Sequence, residues 1–315
     1  MRVKDKYLNP FTDFGFKKLF GVESNKDILI DFLNELLRKD EGKIKDITYL
    51  SPEQLGRIGE RIAIFDIYCE NEQGEKFIVE MQKAKQNYFK DRTIYYSTFP
   101  IQSQAQKGGW DFELKSVYTV GILDFVFDED KGSDQVFHHE VQLFDKSVQA
   151  VFYDKLTYIY LEMPKFTKTI DELETHFDNW LYVLKNLDHL TDRPAKIQES
   201  IFAKLFAQAE IANFDDEEYS EYEKSLKTYR DLKNSFDTAR EEGEKKGWEK
   251  GKREGLKEGE RKGREEGERK GREEGRREGG KEEKITIAGK LKRQNIPPEI
   301  ISKSTGLRIE EIEKL

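Results

Sequence analysis

Cysteine is almost absent. Cys69 is the only one in 315 residues, which leaves no partner for an internal disulfide and no CxxC pair for a metal. Its place in an apolar strand pattern reads as a small core residue rather than a nucleophile. Long apolar runs are missing too: no stretch reaches the ~18 residues that a membrane-spanning helix needs, and Met1-Arg2-Val3-Lys4-Asp5-Lys6-Tyr7 lacks the apolar core of a secretory signal. A reducing, cytoplasmic setting without a membrane partner is the expectation. Histidine is scarce, with four residues. The adjacent pair His138-His139 would point to opposite sides of a strand and is expected at the surface, while His176 and His189 fall in helical patterns and read as packing or surface residues. No GxxxxGK[ST] phosphate loop occurs. Trp110, Trp180 and Trp248 read as ordinary anchors.

Charge is what the chain has in excess. Charged residues make up 37% against 36% hydrophobic, with a mean hydropathy of −0.84. Residues 1–240 carry 44 acidic and 33 basic side chains, a net −11; residues 241–283 carry 15 of each, and 284–315 carry 4 acidic and 7 basic. The acidic balance argues against a surface coated in basic residues, so contact with nucleic acid would need a local basic groove or a bound metal. The composition shifts mark out a core over 1–165, a helical region over 166–240 packed on or beside it, a charged repeat over 241–283 and a small C-terminal element over 284–315.

Within the core, Asp27 to Leu37 has apolar residues at helical spacing, with Asn25 as its N-cap. Strands are expected at Ile44–Leu50, Arg61–Glu70, Lys76–Gln82, Val117–Leu123 and Leu156–Leu161, and a helix from Asp91 to about Gln106 that Pro100 would kink. The order is helix, three strands, helix, strand. Beyond Pro164 the spacing turns helical over Ile170–Leu187, Ile197–Ala212 and Glu217 to about Ala239.

The repeat has glycine at 243, 247, 251, 255, 259, 263, 267, 271, 275 and 279. Ten glycines at roughly 1 kcal/mol each against alanine cost more than the nine Glu-to-Lys/Arg i,i+4 pairs return at about 0.2–0.5 kcal/mol each. A charged helical spacer, self-association along the glycine stripe as a coiled coil, and a disordered polyampholyte are all open readings. Past it, Ile285, Ile287, Ala288 and Leu291 form an apolar face, Ile296-Pro297-Pro298 opens a short helix that Gly306 ends, and Arg308–Leu315 makes another. The result is like a minimal helix-turn-helix, but three glutamates in the last helix favour a packing or oligomerisation module over DNA reading.

The sharpest signal is the pair of strands around Asn71-Glu72-Gln73-Gly74. With a three-residue loop and Gly74 in the left-handed position, Asn71 pairs with Glu75 and Asp66 falls opposite Glu80. Alternation puts Asp66, Tyr68 and Glu70 on one side, and Glu80 with Gln82 on one face. Two carboxylates so placed repel unless a cation lies between them, and oxygen ligands plus water are what Mg²⁺ takes. A solvent-facing pair on an amphipathic hairpin is the alternative reading.

The pattern Asp66…Glu80-Met81-Gln82 resembles the PD-(D/E)XK nuclease signature, in the variant with Gln at the usual Lys position. Asn9-Pro10-Phe11-Thr12-Asp13-Phe14-Gly15-Phe16-Lys17-Lys18-Leu19-Phe20-Gly21, Arg92-x-x-Tyr95-Tyr96 and the Glu/Lys/Arg/Gly tail are similar to the PD-(D/E)XK family transposases, or recombination-promoting nucleases. The resemblance implies an α/β, restriction-endonuclease-like core (α-β-β-β-α-β, mixed sheet) and a Mg²⁺-dependent DNA endonuclease, with Mn²⁺ as the alternative ion. It implies Asp66 and Glu80 as metal ligands, and Gln82, Asp13 and Lys17 as further catalytic residues. Lys18, Lys83, Lys85 and Arg92 are the expected DNA contacts, and the tail a route to a homo-oligomer. Gln82 removes a fixed positive charge, which Lys17, Lys83 or Lys85 would have to replace, although on an ideal strand residue 83 points to the opposite face. A nuclease fold that binds DNA or protein without cutting, or a scaffold acting through its tail, are the rival readings.

Overall fold

The computed structural model describes residues 5–37, 43–54, 63–105, 111–127 and 135–315. It divides into two compact units, Met1–Asp237 and Thr238–Leu315. The first opens on a turn in which the Asn9 side chain accepts from Phe11 N at 2.7 Å and Thr12 Oγ1 accepts from Gly15 N at 2.9 Å. That cap starts helix α1 (Asp13–Phe20). Helix α2 (Lys26–Leu37) follows a short turn over Glu23–Asn25. Asn25 directly precedes α2 but its side chain does not cap it: Oδ1 accepts no hydrogen bond, and Nδ2 donates to Lys18 O at 2.9 Å, tying the start of α2 back to α1.

Three short strands come next, β1 (Ile47–Tyr49), β2 (Glu53–Gln54) and β3 (Ala63–Ile64), then β4 (Ile67–Asn71), β5 (Lys76–Gln82), α3 (Phe89–Ser103), β6 (Val117–Leu123), β7 (His138–Asp145) and β8 (Ala150–Glu162). The main sheet has the order β1-β4-β5-β6-β8-β7, while β2 and β3 pair separately. β5, β6 and β8 are mutually parallel, and β1/β4, β4/β5 and β7/β8 are antiparallel. Two expected strands are shorter than their patterns: Ile44–Leu50 reduces to β1, and Arg61–Glu70 breaks at Phe65-Asp66, with Arg61 and Ile62 outside the described residues. Phe65 then joins Tyr68 and Ile78 in one apolar cluster, so strict alternation fails at the break. The helix expected to Gln106 runs over Phe89–Ser103 with Pro100 inside it; Gln106 and Trp110 lie outside the described residues.

β7 was absent from the expected order. It is an edge strand whose apolar residues Val141, Leu143 and Phe144 are exposed, so its sequence lacks the one-sided burial that marks a strand. His138 and His139 sit on it, and not simply at the surface. The His139 ring lies 3.1 Å from the fully buried Glu162, and the His138 ring packs 5.5 Å from that of Phe177.

One face of the sheet is covered by α1, α2, α4 (His176–Asn186), α5 (Ser200–Ala209) and the start of α6 (Asp216–Arg293). Trp180 is its centre, with ring distances of 5.4 Å to Phe32 and 4.9 Å to Phe202. Each such side chain contributes about 1.5–3 kcal/mol on leaving water, so burial rather than helix propensity holds these helices. Against the expected Ile170–Leu187, a separate turn covers Ile170–Glu172, and Thr175 caps α4 through Asp178 N at 3.0 Å. His176 bonds Asp31 at 2.7 Å, and His189 is exposed. Cys69 is buried in this core, which pushes its thiol up to about 12. On the other face, α3 is fixed by Ser97 and Thr93, whose hydroxyls lie 2.8 Å and 2.7 Å from those of Tyr158 and Tyr160.

Helix α6 extends through the repeat to Arg293, the helical one of the readings open for it, and residues 238–279 of the second unit are exposed. Among its i,i+4 pairs are Lys246–Glu242 at 3.2 Å and Lys270–Glu266 at 2.8 Å. Helices α7 (Pro298–Thr305) and α8 (Ile309–Glu313) close over Ala288, Ile301, Leu307 and Ile312, with Gly306 left-handed between them at φ 70°. Ile285 and Ile287 stay exposed. Among the described residues no helix is long and apolar enough to cross a membrane.

Candidate metal centre

The β4–β5 turn sets the geometry. Asn71 N donates to Glu75 O at 3.1 Å, the Asn71 carboxamide oxygen accepts from Gln73 N and Glu75 N at 3.0 Å and 2.9 Å, and Gly74 takes φ 81°. Pairing then runs from Glu70↔Lys76 to Ile67↔Val79, the register expected from a three-residue loop. One step further, Asp66 faces Glu80 from the bend just before β4. Asp66 N donates to Glu80 Oε1 at 3.2 Å, and Met81 N donates to Asp66 Oδ2 at 2.8 Å. Each carboxylate is thus held by the other strand's segment, and neither is a free surface group.

Both are costly as anions. Glu80 is 4% exposed; burial first, and the Asp66 charge second, push it up to about 8, against the pull of the Arg92 charge and a hydrogen bond with Gln82. Burial also raises Asp66, with Asp13 adding to the shift and Met81 N, Lys17 and Lys83 opposing it. A buried pair of oxygen donors, each disfavoured when charged, fits a hard divalent cation, which accepts one or two protein carboxylates and completes its shell with water and phosphate oxygens. Among the described residues no three His, Cys, Asp or Glu side chains form a metal-binding cluster.

A cavity of about 200 Å³ opens on Asp66, lined also by Asp13, Met81, Gln82, Lys83 and Leu232 among others, while Glu80 lies buried behind it. Asp13 and Lys17 arrive on α1, one turn apart and paired at 3.1 Å. Lys83 corrects the strand argument. β5 ends at Gln82, so residue 83 is released from the alternation; it lines the cavity, where burial lowers its ammonium while the Asp13 and Asp66 charges hold it up. Lys85 lies in a neighbouring cavity, which shares Gln86 with this one. Arg92 sits between the rings of Phe89 and Tyr96, 5.3 Å and 5.7 Å from their centroids, with Nη1 bonded to Gln86. Lys18 is not brought here: it pairs with Glu218 and lies 5.1 Å over the Phe214 ring.

Leu232 of α6 had no recognisable signal, since one apolar residue in a charged helix defines no site. Asp124 carries a signal in its position alone, since it directly follows a buried strand, the usual place for functional groups in sheets with parallel strands. Its N–H donates to Gln82 O at 2.9 Å, and its carboxylate accepts from Tyr229 at 3.0 Å. It opens a separate cavity of about 650 Å³ with Asp188, Lys185 and Lys233, whose charges are of both signs.

No curated protein and no solved structure gives a significant match. A family model does, over residues 10–239, and that span contains α1, the whole sheet, Asp66, Glu80 and the α6 wall. By that match, and with a six-stranded mixed sheet as its core, the chain belongs to the PD-(D/E)XK nuclease family transposases.

Proposed function

We propose that the protein is a metal-dependent DNA endonuclease acting in recombination, with its centre at Asp66 and Glu80. The observation that carries the reading is the buried pairing of these two carboxylates across the β4–β5 register, with Asp66 lining a cavity that also holds Asp13, Gln82 and Lys83. Mg²⁺, or Mn²⁺ in its place, would be held by Asp66 and Glu80. It would offset their mutual repulsion and supply charge stabilisation to the phosphodiester during hydrolysis. The protein's own part is positional: Met81 N and the Asp66 N–H orient the carboxylates, and Gln82 offers an amide to a phosphate oxygen or a water. Lys83 supplies the fixed positive charge that Gln82 lacks, and the Asp13–Lys17 pair stands above. Lys85 and Arg92 extend the cationic side of the path, so DNA is the expected partner.

A second reading has two observations in its favour. Gln82 occupies the position where a lysine would contribute charge, and residues 1–240 carry a net −11, which suits a nuclease fold that binds without cutting. Cleavage of supercoiled plasmid separates the two, run with Mg²⁺, with Mn²⁺, with EDTA and with Asp66→Ala. Metal-dependent nicking that the substitution abolishes is the expected result. A folded preparation that binds DNA but nicks nothing with either ion would leave the binding module as the function.

A further inference from the structure

We infer that Tyr88 is a stacking platform for an unpaired base next to the bond that is cut, so that the substrate is DNA with a single-stranded or frayed nucleotide at the cleavage site. The inference rests on the nuclease reading and adds a substrate class to it. Tyr88 is the residue from which α3 starts, and it is held at φ 62°, ψ 28°, a left-handed conformation that is uncommon outside glycine, asparagine and aspartate. The residue is 79% exposed, so burial of the side chain does not account for the conformation. The next residue goes the other way. Phe89 is buried, with its ring 5.9 Å from Phe125 and 6.0 Å from Tyr160. The anchored Phe89 and the left-handed turn together present Tyr88 outward at a fixed position.

That position adjoins the metal centre. A cavity of about 350 Å³ is lined by Lys85, Gln86, Tyr88, Lys90, Phe125 and Phe127 among others, and Gln86 is common to it and to the cavity over Asp66. Lys90 Nζ lies 4.5 Å over the Phe127 ring. Aromatic surface with lysines at its rim is the chemistry that binds single-stranded nucleic acid, with bases on rings and phosphates on cations. In a chain whose first 240 residues carry a net −11, a rim on which Lys85 and Lys90 outweigh the single carboxylate of Asp91, beside paired carboxylates, favours a nucleic-acid strand over an acidic protein segment. A paired duplex offers its base edges and not its base faces, so a ring can take up a base only where that base has left the stack.

The test uses the full chain in EDTA, where binding is read without cleavage, with a fluorescein-labelled oligothymidine and a blunt duplex as probes. Tyr88→Ala is expected to weaken single-strand binding by about tenfold to a hundredfold, Tyr88→Phe to stay within about twofold of the parent because the ring is kept, and duplex binding to change less. Tyr88→Asn, which suits the left-handed backbone, serves as a second ring-free variant and should match Tyr88→Ala. Single-strand affinity unchanged in both ring-free variants overturns the inference. Plasmid cleavage by the same preparations keeps the two readings apart. Metal-dependent cutting with unaltered single-strand binding in the ring-free variants removes the stacking role alone. Weakened single-strand binding in a protein that does not cut supports the stacking role and removes the nuclease.

Discussion

At the scale of single residues, Glu80 carries a cost that a bound cation would relieve, and the sign of its pH dependence follows. The folded chain keeps its proton from the ordinary carboxylate range up to about 8, where the unfolded chain has released it. The folded state therefore binds more protons across that window, and the stability of the metal-free protein falls as pH rises through it. Glu80→Gln removes this contribution. In EDTA the variant should melt above the parent at pH 8 and close to it at pH 5, with part of the slope remaining because Asp66 is raised as well. Saturating Mg²⁺ should raise the melting temperature of the parent, and more at pH 8 than at pH 6, because the ion competes with a proton; Glu80→Gln should lose most of that gain. A thermal scan across pH, with and without Mg²⁺, checks both, and a parent whose melting point ignores Mg²⁺ at pH 8 would count against cation binding at this pair.

At the scale of elements, the site depends on the turn before α1, and there Gly15 is required by a close approach. A Cβ at Gly15 would lie 2.3 Å from Asn9 O and 2.7 Å from Thr12 Oγ1, the atoms that build the cap. Gly15→Ala should cost about 1–3 kcal/mol, as overpacking does, visible as a lower melting temperature. It should also reduce plasmid nicking beyond the loss of folded protein, because Asp13 and Lys17 ride on the displaced helix. The same contrast of local and distant causes explains how far the sequence could be read. The Asp66–Glu80 register was within reach because it depends on one turn, with Asn71 and Gly74 supplying chemistry that is visible in place. The break at Phe65-Asp66 was not, since it follows from pairing of Ala63–Ile64 with Glu53–Gln54, which no periodicity inside the segment records. β7 escaped for a related reason, being specified by its partner β8 rather than by a pattern of its own. Strand alternation does not reach Lys83, because β5 ends at Gln82. Tyr88 left no trace at all, as a single exposed aromatic in a polar loop has no pattern to break.

At the scale of the whole molecule, the repeat poses an energetic question that the single chain leaves in a definite form. The helix runs through all ten period-four glycines, and a Cβ built at any of them meets nothing within 4 Å. Within one chain the glycines therefore serve no packing purpose, while each lowers helix stability by roughly 1 kcal/mol relative to alanine. Ion pairs at i,i+4 return only a few tenths each. The two explanations for keeping such a stripe predict opposite signs. If the segment works as a solvated spacer, replacing Gly255, Gly259 and Gly263 by alanine in the full chain should raise helical circular dichroism at 222 nm and delay its loss on heating, with no change in sedimentation. If a second chain approaches along the stripe, as small residues permit when backbones come close, the added methyl groups would separate the helices. Self-association would then weaken even as the isolated helix gained stability. On a regular helix a four-residue period advances by about 40° per repeat, so such a partner would have to wrap around the axis to follow the glycines. The exposed, ion-paired surface of residues 238–279 meets the first case without further assumption. A rise in helicity at constant sedimentation coefficient is the expected outcome, and a fall in oligomer mass on alanine substitution would transfer the role of the repeat to assembly.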